Sequence, residues 1–232
     1  MTTSSRAARP AAVLWDMDGT LVDTEPYWVA AETEVVDEHG DGEWSKEDAL
    51  RLVGNDLLVS GSIVQQRGHV RLPVEEIVEL LMDGVASRIR EAVPWRPGAR
   101  ELLSTLRADR VPCALVTMSY ERLVGPVLDA MPSGSFDVVV TGDNVAHGKP
   151  HPEPYLHAAR LLGVDPGGCV AIEDSQPGAA SAEAAGCRVL VVENHVSVAP
   201  GPGRVFLPTL QGLTTRDLAG LRVPRDHPSP AS

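Results

Sequence analysis

The 232-residue chain has no run of about 18 apolar residues, so nothing in it reads as a transmembrane helix. It has three cysteines, Cys113, Cys169 and Cys187, and no pair of them at zinc-ligand spacing. Each sits among apolar, strand-like residues, which points to buried reduced thiols rather than metal ligands. Positive charge is also scarce. Twenty Lys and Arg against 32 Asp and Glu leave a formal net charge of −12, a field that repels phosphate polymers and anionic membrane surfaces. Neither nucleic acid nor membrane is an expected partner, although a small phosphorylated metabolite can bind where local cations outweigh the overall field. The opening stretch MTTSSRAARP is polar and lacks the apolar core of a secretory signal, so the cytoplasm is the expected compartment. No internal repeats are visible.

What is present is ordinary for a globular protein: 43% hydrophobic and 22% charged residues. The length allows one large domain or a domain with an insertion. Short apolar runs recur at 11–15, 112–116, 137–141, 169–172 and 188–192, separated by helical patterns such as 98–109, with Leu102, Leu103 and Leu106 on one face, and 153–162. Strands alternating with helices predict an α/β fold built on a doubly wound parallel sheet. Residues 23–96 break the alternation. They carry helix starts at Thr24-Glu25-Pro26, Ser45-Lys46-Glu47-Asp48, Asn55 and Pro73-Val74, which predict about four helices and no strand. The expected organisation is a flexible start over 1–9, a core of 10–22 and 97–222, a helical insert over 23–96 and a flexible tail over 223–232, with hinges at Val22-Asp23 and Arg96-Pro97-Gly98. Trp28, Trp44 and Trp95 fall in or beside the insert and are expected to fill its small core. Residues 199–203 are expected as a loop leading to a last helix over 214–221.

Polar residues gather where the predicted strands end, the place at which open α/β sheets bind ligands. The first strand runs into LWDMDGT, with Asp16 and Asp18 one residue apart. This is also good turn chemistry after any strand, but two like charges held close need a compensating cation. The second strand ends in Thr117-Met118-Ser119, whose hydroxyls and amides can bind phosphate. The fourth ends in Glu173-Asp174-Ser175, although Asp174-Ser175 is equally a helix start. His147-Gly148-Lys149-Pro150 offers a cation. His147, His151 and His157 invite a metal reading but lack matching further ligands, and solvated side chains are expected there.

Taken in order, DxDGT, the Thr/Ser strand end, GKPxPxxY and EDS resemble the four motifs of the haloacid dehalogenase superfamily, and in particular its phosphatases and phosphomutases with a helical cap inserted after the first strand. The resemblance spans roughly residues 10–195 and makes the helical insert a cap. It implies Asp16 as the nucleophile that accepts the phosphoryl group and Asp18 as the acid and base that protonates the leaving alkoxide and deprotonates water. It implies Mg²⁺ held by the Asp16 side chain, the Asp18 backbone carbonyl and Asp174, with Glu173 acting through a water. Thr117 and the Met118-Ser119 region would hold phosphate oxygens, and Lys149 would stabilise charge and restrain the nucleophile. Met118 departs from the family, which often has Asn or a small residue there, and leaves only its backbone amide for phosphate.

The stretch Asp23 to Trp28 resembles the DTEPLW-type segment of sugar-phosphate phosphatases, which makes Glu25 and Trp28, with Gly54 and Asn55 further on, candidate substrate contacts. Related β-phosphoglucomutases carry His where Trp28 stands and a basic residue after the glycine at Gly54, where Asn55-Asp56-Leu57-Leu58 offers none. A phosphatase acting on a small sugar or polyol phosphate, as a monomer whose cap supplies its own lid, is therefore expected. A phosphomutase is the alternative. A non-hydrolytic phospho-receiver also clusters acids, Thr and Lys on a parallel sheet, but carries no large helical insert and no second acid of DxD.

Overall fold

The computed structural model describes residues 9–52 and 57–221. The ends expected to be flexible, apart from Arg9, and the capping role expected for Asn55 fall outside these residues. The chain divides into two compact units, one of residues up to 21, 96–118 and 134 onward, the other of residues 22–95 and 119–133.

The first unit contains a six-stranded sheet of β1 (Val13–Trp15), β2 (Cys113–Val116), β3 (Val138–Val140), β4 (Val170–Glu173), β5 (Arg188–Val191) and β6 (Arg204–Phe206). The order is β3-β2-β1-β4-β5-β6, with every pair parallel. Leu14 sits in register between Ala114 of β2 and Ala171 of β4, so β1 is central and the chain reverses its order of addition on either side of it. Strands covered on both faces need apolar residues at every position, and β1, β2 and β4 are buried throughout. Side chains alternate between faces. Leu14, Ala114, Val116, Ala171, Val189 and Val191 join Tyr155 and Ala158 of α7 (Glu153–Leu162) and Ala179 and Ala182 of α8 (Gln176–Ala184) in one apolar cluster. The helix α5 (Ala99–Ala108) buries Leu102, Leu103 and Leu106, which lie outside that cluster; it packs on β2 and on α9 (Thr215–Gly220).

The five expected strands form, with ends moved by one or two residues. The sixth, β6, was not foreseen. It is a three-residue edge strand begun by a charged residue, and the buried Arg204 guanidinium donates to Glu183 Oε2 at 2.9 Å, Gln176 Oε1 at 2.9 Å and Ala199 O at 2.8 Å. Glu183 and Gln176 are not near it in sequence.

The second unit holds α1 (Glu25–His39), α2 (Lys46–Leu50), α3 (Leu57–Arg67), α4 (Val74–Glu91) and α6 (Glu121–Asp129). An isolated antiparallel bridge between Val22 and Trp95, with Asp23 N donating to Pro94 O at 2.8 Å, ties the two ends of the insert together. The spine is α4, whose Ile77, Val78, Leu81, Met82, Val85, Ala86 and Ile89 recur at helical spacing and face α1, α3 and α6. Glu75 and Glu76 open it and Arg88 and Arg90 close it, complementing the helix dipole. Ser45 and Asp48 exchange hydrogen bonds in a capping box at α2, whereas Thr24 makes no side-chain cap at α1. Residues 119–133, inside the segment expected as core, cluster here, and Arg122 of α6 pairs with Glu79 and Asp83 of α4. Trp28, Trp44 and Trp95 are half-buried rather than core: in so small a unit a ring of that size reaches the edge. Among the described residues no helix is long and apolar enough to cross a membrane.

Candidate active site

The carboxyl ends of β1, β2 and β4 deliver the polar residues of the first unit. Asp16 leaves β1 with its amide still bonded to Ile172 O at 3.0 Å. Three residues later Gly19 adopts φ +86°, and a Cβ there would lie 1.9 Å from Asp174 Oδ2. Both the conformation and the close approach require glycine, so the DG of the motif is the seat on which the Asp174 carboxylate rests.

Lys149 reaches in from the loop after β3. Its ammonium donates to Asp16 Oδ1 at 2.6 Å, Glu173 Oε1 at 2.7 Å and Val116 O at 3.0 Å, which uses all three of its N–H groups. Glu173 is fully buried and takes two more hydrogen bonds, from Tyr155 Oη to Oε1 at 2.5 Å and from Ser175 Oγ to Oε2 at 3.1 Å. Ser175 also caps α8, accepting from Gly178 N at 3.2 Å. A Cβ on Gly178 would lie 2.0 Å from both Glu173 oxygens, so this glycine makes room for the acid. Thr117 is buried, with Oγ1 a long 3.4 Å from Asp18 Oδ2. Met118 meets the lysine loop: its Sδ accepts from Lys149 N at 3.3 Å, and a Cβ on Gly148 would come within 2.9 Å of it.

Burial sets the electrostatics. It pushes the Asp16 carboxyl well above its ordinary range, Glu173 adds to the rise, and Lys149 opposes it. Burial and then Glu173 raise Asp174 to about 7. For Lys149 burial alone would favour the neutral amine, but the Asp16 and Glu173 carboxylates outweigh it and hold the ammonium above the usual lysine value. One cation thus serves three buried acids, and the deficit is positive charge.

Asp16, Glu173 and Asp174 each offer a carboxylate oxygen within 4.8 Å of the others. Asp16 Oδ2 is buried without a hydrogen-bond partner among the described residues. An orphaned anionic oxygen beside further carboxylates fits a hard divalent cation, and this group could hold one. Both oxygens of Glu173 already accept from protein donors, whereas Asp16 Oδ2 accepts from none among the described residues.

Asp16, Asp18, Thr117, Met118, Lys149, Glu173 and Asp174 therefore all belong to the strand-end region of the first unit. Ser119, Glu25 and Trp28 belong to the second, Glu25 and Trp28 half-buried on α1, and Gly54 and Asn55 fall outside the described residues. Sequence reasoning did not assign Tyr155, Ser175, Gly178 or the Met118 sulfur any part in holding Glu173 and Lys149. The signal was present for Tyr155, the tyrosine of GKPxPxxY, and for Ser175 and Gly178, which look like an ordinary helix cap.

A parallel α/β sheet with this acid and lysine cluster at its central strand ends defines a class of enzymes, and comparison with known proteins makes it specific. Residues 10–186 match the family of haloacid dehalogenase-like hydrolases, and the chain belongs to that family. It is 33% identical over 227 residues to hexitol phosphatase B of Escherichia coli O157:H7, covering 90% of this chain and 96% of that protein. Its fold superposes with a TM-score of 0.77 on a CbbY variant from Rhodobacter sphaeroides in complex with xylulose-(1,5)bisphosphate, at 27% identity and covering 88% and 96% of the two chains. A Thermotoga maritima protein provisionally named a β-phosphoglucomutase is 28% identical, with a TM-score of 0.71 and coverage of 90% and 96%.

Proposed function

We propose that the protein is a Mg²⁺-dependent phosphatase that hydrolyses a small phosphate monoester, a sugar or polyol phosphate, through an aspartyl-phosphate on Asp16. The observation that carries this reading is the state of Asp16: one carboxylate oxygen is held by Lys149 and the other is buried and unpartnered beside Asp174. The phosphatase and sugar-phosphate names of the similar proteins agree with it.

In the first step the Asp16 carboxylate attacks phosphorus, a new O–P bond forms, and the bond to the ester oxygen breaks as Asp18 delivers a proton to the departing alkoxide. In the second, Asp18 takes a proton from water, the water oxygen attacks phosphorus, and Asp16 leaves as a carboxylate with release of inorganic phosphate. Lys149 steadies Asp16 and offsets charge on the phosphoryl oxygens, with Thr117 and the Met118-Ser119 segment as further donors. Glu173, clamped by Tyr155 and Ser175, holds the ammonium in place. Mg²⁺, held by Asp16, Asp174 and the Asp18 carbonyl with Glu173 behind them, would supply the missing positive charge. The helical unit would act as cap, with Glu25 and Trp28 toward the non-phosphate part of the substrate.

The test is release of phosphate from p-nitrophenyl phosphate and from a panel of sugar, hexitol and glycolate phosphates, with and without a chelator. Turnover that needs Mg²⁺ and vanishes in Asp16→Asn supports the reading; turnover indifferent to either defeats it. The likeness to the Thermotoga maritima protein favours a second reading, a phosphomutase. Incubation with β-glucose 1-phosphate and a bisphosphate primer decides between them, since a mutase gives an isomer and a phosphatase gives free phosphate.

A further inference from the structure

The loop that carries Lys149 holds a second constellation on its outer side. His147 and His151 flank the lysine in sequence, and Glu153 opens α7. Glu153 Oε2 lies 2.8 Å from His147 Nδ1 and 3.9 Å from His151 Nδ1, and the two imidazole centroids are 4.7 Å apart. Ligand atoms of all three residues fall within 4.8 Å of one another. We propose that His147, His151 and Glu153 form a metal site, separate from the acidic cluster, for an imidazole-preferring divalent cation such as Zn²⁺.

The spacing supports this. Tetrahedral ligands at about 2.0–2.1 Å from zinc are themselves about 3.3 Å apart, a value that the two measured separations bracket. The carboxylate is preorganised, because Ala146 N donates to Oε1 at 2.8 Å and His147 N to Oε2 at 3.1 Å. His151 Nδ1 accepts from Glu153 N at 3.2 Å, which fixes that nitrogen as proton-free, and ligation exchanges this bond for one to the ion. At His147 the ion replaces the proton on Nδ1, which moves to Nε2. Two nitrogens and one oxygen select Zn²⁺ or a similar ion over Mg²⁺. Both histidines are exposed, leaving the remaining position to water. The sequence offered the two histidines but hid the third ligand, because Glu153 also reads as an ordinary first-turn acid of a helix.

The experiment is calorimetric titration of the metal-free, full-length protein with Zn²⁺ in excess Mg²⁺, for wild type, His147→Ala, His151→Ala and Asp174→Asn. The expected result is one Zn²⁺ per chain, bound about tenfold or more weakly by each histidine variant and as in wild type by Asp174→Asn. No Zn²⁺ binding by the wild type overturns the proposal, as does unchanged binding in both histidine variants. Loss in Asp174→Asn alone assigns the ion to the acidic cluster and also overturns it. No turnover is measured, so the outcome is independent of the proposed reaction, and circular dichroism of the histidine variants checks that they are folded.

Discussion

In the sheet unit three buried carboxylates share one lysine, whereas in the helical unit Glu32 of α1 is buried at 3% exposure with no basic group acting on it. The two regions meet the same cost with different means. Around Asp16, where burial still raises the Asp16 and Asp174 carboxyls, the charge is partly offset by an ammonium that donates to two acids and by the hydroxyls of Tyr155 and Ser175 on Glu173. Around Glu32 it is given up: burial and then the Glu25 carboxylate raise its carboxyl to about 8, with Trp44 opposing, so the acid is protonated at neutral pH. Its Oε2 has no hydrogen-bond partner among the described residues. Burial raises the acids of both regions, and only around the strand ends do an ammonium and hydroxyl donors oppose it.

The largest effect that separates the two regions is on turnover. Asp16→Asn keeps the shape of the site and removes the nucleophile, so phosphate release falls roughly 10⁴-fold or more, while Glu32→Gln leaves kcat unchanged; steady-state assays on p-nitrophenyl phosphate read both. Next is Lys149→Met, which strips the cluster of its cation. In metal-free protein it costs about 3–5 kcal/mol by denaturant unfolding, and added Mg²⁺ restores part of the loss; if wild type and variant unfold alike, the lysine does not compensate those acids.

Glu32 should govern how stability depends on pH. Its folded-state value of about 8 lies above the reference of 4.5, so the folded chain binds the extra proton between these values. The stabilisation is complete below about pH 4.5, is lost as pH rises, and is gone above about pH 8. The change is on the order of a few kcal/mol, and Glu32→Gln removes it: variant and wild type converge near the acid end, and the variant melts higher at about pH 8. Equal melting curves at both pH values would show that Glu32 is not held neutral. The smallest effect is Tyr155→Phe, which deletes one hydrogen bond to Glu173 and lowers stability by about 1–2 kcal/mol, less than Lys149→Met.

The sheet was legible because parallel strands must be apolar at every position, so VLW, CALV and VAIE stand out from the helices between them. The helices of the insert were legible from Pro26, the Ser45 and Asp48 box and Pro73. β6 was hidden because Arg204 pairs with Glu183 and donates to Gln176, 21 and 28 positions away in sequence, and α6 packs on α4 with Arg122 paired to Glu79 and Asp83, about 40 positions away. At the site, the acids and the lysine announced themselves by type and order. The supports did not, because a tyrosine in a helix, a helix-capping serine and a glycine after it have common structural uses.

Composition and the order of motifs by themselves determined an α/β chain with acids at its strand ends, a helical insert and membership of a hydrolase family, since these depend on local periodicity and on residue identity. Only the tertiary structure decided which oxygen of Asp16 is paired, that Glu173 is clamped by Tyr155 and Ser175, and why Gly19 and Gly178 must lack side chains. The pairing of Asp16 with Lys149 and the seat of Asp174 on Gly19 join segments more than a hundred residues apart, and the clamp on Glu173 depends on how the turns around it are buried and packed, so no local pattern encodes either.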